Sequence, residues 1–172
     1  MRNITAISTL LISLIHSTSV LAKEQWWSYL SGQENGPSST RVDLGINKVA
    51  PLADFPFVLI TGVKFDGKSS DGLPSQPQID KLNTLQESLV KYVNSKLRAK
   101  YVGTFTYQSE QLHYIYVQNK IEAERVITEF YSESCKGCST YTNVRHDPQW
   151  LGYKGFLYPS EQIFKYYGLS IE

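Results

Sequence analysis

Cys135-Lys136-Gly137-Cys138 is the one stretch of this chain that holds thiols, and its spacing suits two chemistries. As a redox pair it would exchange disulfides, one thiolate attacking a substrate and the other resolving the mixed species. As half of a zinc site it would need two more ligands, which His146 and Asp147 could supply if they folded back. A third outcome involves no reaction: a disulfide that closes a turn, worth about 2 kcal/mol for so short a loop. Redox activity asks for a helix N-terminus at the first cysteine, because that dipole lowers the thiol pKa. The residues before Cys135 read instead as the end of a helix, where the sign is reversed. A structural disulfide is therefore the first reading, and the redox pair and a Cys135/Cys138/His146 zinc site are the alternatives.

Tyrosine is the other feature with chemical consequence, at 12 residues alongside 3 Trp and 7 Phe. Alternation places Tyr114 and Tyr116 on one face of a strand that also carries His113, and Tyr107 stands near them on a neighbouring strand. If helices cover the opposite face, Tyr107, His113, Tyr114 and Tyr116 are candidates for a binding surface, since tyrosines bury much area at small entropic cost. The competing expectation is that an N-terminal hairpin or the terminal segment packs over them. The run Asp147 to Pro159 reads as a structural motif: Asp147 caps a turn, Trp150, Tyr153, Phe156 and Tyr158 fold across the sheet, and Pro159 leads into a helix begun by Ser160.

Other catalytic sets are missing. The chain has no Gly-x-Ser-x-Gly, Ser-x-x-Lys or His-Glu-x-x-His and no phosphate-cradling glycine loop. Asp66, Asp71 and Asp80 lack the alternate spacing of a calcium loop. No cofactor or catalytic residue is expected.

These groups need a frame to position them. Gln25–Leu30 and Arg41–Ile46 have strand character with a turn over Gly32–Thr40, and Phe57–Phe65 reads as a central strand. Ile79, Leu82, Leu85, Leu89, Val93 and Leu97 share one face of a helix begun by Ser75 and Gln78. Tyr101–Tyr107 and Leu112–Val117 form a hairpin, followed by a helix over Lys120–Ser132 capped by Asn119 and Glu122. Thr140–His146 is a last strand, and Ser160–Tyr167 a short helix stopped by Gly168. The order predicts an α+β fold: a ferredoxin-like antiparallel sheet with two helices on one face, plus an extra N-terminal hairpin and a short C-terminal helix.

Residues 1–22 have the three parts of a secretory signal: Arg2, an apolar stretch from Ile4 to Ile15, and small residues ending at Ala22. The polar interruptions at Ser8, Thr9, Ser13 and His16 argue against a membrane span, and no membrane insertion is expected once the signal is removed. Residues 23–172 then form a single domain. The full chain has 17 Lys+Arg against 16 Asp+Glu, and loss of Arg2 makes the two equal, so there is no general attraction to nucleic acid. The expected compartment is the bacterial periplasm or the medium.

The segments Trp26-Trp27-x-Tyr29, Arg41-Val42-Asp43-Leu44-Gly45, Gly72-Leu73-Pro74, Tyr101-Val102-Gly103 and Asp147-Pro148-x-Trp150-x-x-Tyr153-x-x-Phe156-Leu157-Tyr158-Pro159 resemble the bacterial domain of unknown function (DUF) 695 family across nearly all of the mature chain. The closing motif is also similar to the regulator of ribonuclease E activity B (RraB) family, whose ferredoxin-like members inhibit an RNA-degrading enzyme by binding it. The resemblance implies a fold and a habit of protein binding, and it brings no catalytic residues. RraB is acidic and cytoplasmic, so its target is not expected to carry over to a neutral chain with an export signal. The leading reading is an exported, non-catalytic domain that binds another envelope or secreted protein, with the redox and zinc readings behind it.

Overall fold

The structure, a computed structural model, describes residues 23–66 and 69–169; the predicted signal, residues 1–22, lies outside the described residues. The fold is α+β. Strands β1 (Trp26–Gln33), β2 (Gly36–Asp43), β3 (Phe57–Lys64), β4 (Ala99–Tyr107), β5 (Glu110–Val117) and β6 (Thr140–His146) form one sheet in the order β1-β2-β4-β5-β3-β6. Every neighbouring pair is antiparallel. Helices α1 (Gln76–Lys96), α2 (Lys120–Ser134) and α3 (Glu161–Tyr166) complete the elements, with a 3-10 turn at Gly45–Lys48 and a π-helical turn at Gly152–Leu157.

Both long helices start at polar caps. Gln78 Oε1 accepts from the Ser75 N–H at 2.8 Å at the head of α1, and Asn119 Oδ1 accepts from the Glu122 N–H at 3.1 Å at the head of α2. The three- and four-residue spacing of apolar side chains then turns Leu82, Leu89 and Val93 of α1 and Val126, Ile127 and Phe130 of α2 towards Leu59, Val63, Ile115, Val117 and Val144 of the sheet. This is the first core. A second lies on the opposite face, where Val42, Val58, Ile60 and Val102 are covered by Trp150, Tyr153 and Leu157 together with Ile46 and Phe55. The central strands are therefore buried on both sides.

The hairpin formed by β1 and β2 differs from the expected turn over residues 32–40. Only Glu34 and Asn35 turn, and Gly36 to Thr40 pair with Gln33 back to Tyr29. Gly36, Pro37 and Ser38 have turn composition, yet the ladder to β1 and the pairing of Ser39 and Thr40 with Thr106 and Phe105 hold this stretch extended. Pro37 sits at the hairpin end opposite Gly32, where a missing N–H costs least. The second strand also ends earlier, at Asp43, whose Oδ1 accepts from the Gln25 and Gly45 N–H groups at 2.8 and 2.9 Å and bends the chain into the 3-10 turn. The outer edge of β1 is partly closed by Tyr167, whose hydroxyl accepts from Leu30 N–H at 2.9 Å and donates to Leu30 O at 3.3 Å.

Candidate functional site

Cys135 caps the C-terminal end of α2, its N–H donating to Tyr131 O at 3.1 Å, and the Cys138 N–H donates back to Cys135 O at 3.0 Å. Gly137 turns the chain with a left-handed φ of 85°. The two sulfurs are bonded, the Cα atoms lie 5.5 Å apart, and no cysteine among the described residues is free. The pair sits at the negative end of the helix, which does nothing to stabilise a thiolate. The zinc set is not assembled. β6 runs extended from Thr140 to His146, so at about 3.3 Å per residue His146 lies about 20 Å along the strand from Thr140, at the end away from Cys138. Its ring packs beside Phe57 instead, and among the described residues no group of three His, Cys, Asp or Glu side chains could hold a metal.

Of the two readings of the tyrosine row, the structure has the one in which the terminal segment packs over it. Tyr114 and Tyr116 do share a face, but they are 5% and 0% exposed because the segment after β6 lies over them. Trp150 stacks on Tyr116 with ring centres 3.9 Å apart and donates its indole N–H to Phe55 O at 3.0 Å, while Phe156 packs against Tyr114 and Phe105. Tyr107 accepts at its hydroxyl from the Asn35 N–H across the hairpin end. His113 points to the opposite face, the one under α1, where it is equally buried. Burial pushes the Tyr114 hydroxyl up to about 12 and the Tyr116 hydroxyl higher still, so neither is a proton donor or acceptor near neutrality.

Asp147 anchors the covering segment. Its carboxylate accepts from the Tyr116 hydroxyl at 2.7 Å and from the Leu151 and Gly152 N–H groups at 2.8 Å each. Tyr153 then reaches across to donate its hydroxyl to Asp43 O at 2.7 Å, Tyr158 packs between Tyr153 and Phe164, and Pro159 is buried before α3. The polar groups of the Asp147, Tyr116, Trp150 and Tyr153 side chains are thus spent on bonds within the fold.

A groove of about 340 Å³ on the helix-bearing side is different in kind. Its floor is built by cross-strand register. One row runs Ser28, Arg41 and Thr104 across β1, β2 and β4, with His113 buried next in register on β5, and the other runs Leu30, Ser39, Thr106 and Gln111. α1 forms one wall with Ile79, Asn83 and Gln86, and Leu73 and Pro74 close one end. The groove exists because the β1-β2 hairpin widens the sheet beyond the area where α1 and α2 pack. Among the described residues Arg41 is the single charged residue lining it, and the guanidinium rests 4.5 Å from the Trp26 ring centre. Below it, Thr104 Oγ1 joins Tyr101 Oη, Gln86 Oε1 at 3.3 Å and His113 Nδ1 at 3.3 Å. Gln111 holds Thr106 Oγ1 at 3.4 Å through Nε2, while its own buried Oε1 has no partner among the described residues.

The family described as a family of unknown function (DUF695) matches residues 24–158. The chain belongs to the DUF695 family. No curated protein and no solved structure matches it. The match spans both halves of the groove, from β1 to β5, as well as the Asp147 to Tyr158 segment.

Sequence reasoning missed this DUF695 groove because its floor comes from four strands, none of which looks unusual alone. The available signal was a polar residue at every second place, as in Ser39-x-Arg41, Thr104-x-Thr106 and Gln111-x-His113, on the face where Ile115 and Val117 are apolar further along. In the DUF695 domain His113 lies under this floor, and burial lowers its pKa to about 4. The unfolded chain takes up a proton near pH 6.5 and the folded chain only near 4, so stability falls as pH drops through that window. The expected loss is about 3 kcal/mol between pH 7 and 4, measured by urea unfolding. His113→Gln removes that part of the slope whatever it does to stability at pH 7; an unchanged slope would place the acid sensitivity elsewhere.

Proposed function

We propose that this protein is an exported, non-catalytic binding domain that acts by holding another envelope or secreted protein, and that the groove between α1 and the β1-β2 extension is its contact site. The observation that carries the proposal is the state of the groove's polar groups: among the described residues, a guanidinium with no carboxylate beside it and a buried amide oxygen with no donor. Buried polar atoms without partners are rare in folded proteins, and a ligand that supplies the missing donor removes the penalty. Concave sites with a few convergent polar groups on a largely apolar wall are the usual form of a binding pocket. The apolar character of residues 4–15 and the small residues before Lys23 support export to the periplasm or the medium.

The strand order β4-β5-β3-β6, with α1 and α2 on one face, supports reading β3 to β6 as a ferredoxin-like core to which β1 and β2 add an edge hairpin. On that reading the hairpin is the addition that creates the site. The test is capture from the envelope fraction with the wild-type protein and with Arg41→Glu, both checked for equal melting. A partner retained by wild type is expected to be reduced about tenfold or more by the charge reversal, in line with the loss of a charge-assisted pair. Equal capture by both proteins would remove the groove from the interface.

A further inference from the structure

We infer that the groove takes an acidic peptide segment in extended conformation, an inference that rests on the groove being the contact site of a binding domain. Charge complementarity sets the first requirement. Arg41 forms no ion pair with a carboxylate among the described residues, and its guanidinium is held on the Trp26 ring at 4.5 Å. The ring restrains the guanidinium, one side of which meets the Tyr101 hydroxyl, and its remaining N–H groups are left for a carboxylate.

The second requirement comes from Gln111. Its orphan Oε1 needs an N–H or O–H donor, which a peptide backbone provides at every residue and a simple carboxylate lacks. The two requirements are set apart by the sheet. Gln111 is two strands across and two residues along from Arg41, which at about 4.8 Å between strands and about 3.3 Å per residue is a diagonal of about 12 Å. That is the reach of about three or four extended residues, longer than a single amino acid. Between the two points, the Ser39 and Thr106 hydroxyls and the Asn83 amide offer both donors and acceptors, as a peptide's alternating C=O and N–H groups need. Leu30, Leu73, Pro74 and Ile79 form an apolar border suited to one small hydrophobic side chain two places from the acid.

Titration of ¹⁵N-labelled protein with acetyl-Gly-Val-Gly-Glu-Gly-amide, with its Gln counterpart, and with acetate tests the inference. The expected result is saturable shifts of the amides of Ser28, Arg41, Thr104 and Thr106, with the Glu peptide bound about tenfold more tightly than the Gln peptide. Arg41→Gln should abolish that preference. Gln111→Leu should weaken both peptides about equally while raising Tm by about 2–4 °C, because the orphan carbonyl is gone. A strictly structural glutamine would give lower Tm and unchanged binding. Equal affinity for the two peptides overturns the acidic requirement and leaves the groove as a binding site. Acetate binding as tightly as the Glu peptide overturns the peptide requirement. Shifts confined to other surfaces, or no saturation by about 10 mM, overturn both the inference and the placing of the contact site in the groove.

Discussion

Trp150→Ala lowers the unfolding free energy by about 3–5 kcal/mol, read as a shift of the urea midpoint at constant slope. The ring is fully buried, lies flat on Tyr116 with an interplanar angle of 12°, and donates to Phe55 O, so alanine removes a stack and leaves both a cavity and an unpaired carbonyl. Trp150→Phe keeps part of the stack and should cost less. The backbone adds a second effect, because Trp150 is at φ 57°, a conformation that side chains with a Cβ adopt at a cost. Trp150→Gly should therefore lose less than its smaller size implies relative to alanine. A loss below about 1.5 kcal/mol in Trp150→Ala would mean that the second core closes without the indole.

Asp147→Ala produces a loss of similar size, about 3–5 kcal/mol, by a different route. One buried carboxylate serves three donors, and its removal leaves the Tyr116 hydroxyl and the Gly152 amide without acceptors away from water and the part-buried Leu151 amide without its cap. Asp147→Asn retains one acceptor oxygen and sets an amide N–H against donors, so it should cost about 2 kcal/mol. Because Tyr116 lies beneath Trp150, the two sites share a partner and their effects should not add. A double variant no worse than either single variant is the expected sign of that coupling, and strict additivity would show that cap and stack act independently.

Periodicity made much of the frame legible. The spacing from Ile79 to Leu97 and the Ala123, Val126, Ile127 and Phe130 face specify two helices whose apolar stripes have one place to go. Alternation along Leu112 to Val117 separates Tyr114 and Tyr116 from His113 just as clearly. What alternation cannot state is what lies above each face. β5 is interior to the sheet and covered on both sides, so residues that would be a surface on an edge strand are core here. The stretch from Gly36 to Thr40 was misleading for a related reason, since its composition favours turns and only its neighbours in space hold it extended. The groove was the least legible part. Arg41 and Gln111 belong to one site through strand register, and neither carries a local motif.

The layer over the second face is tied to the first strands by bonds that span most of the chain. Tyr29 donates to Leu157 O, Tyr153 donates to Asp43 O, and Tyr167 bonds to Leu30. Loops this long close late, and folds dominated by such contacts form slowly. A chain emerging N-terminus first thus exposes Val42, Val58 and Ile60 as unfinished apolar surface until residues 150–157 arrive. Completion of the fold is gated by the arrival of residues 150–157, and a product stopped before Trp150 would be a substrate for chaperones and proteases rather than a smaller working domain.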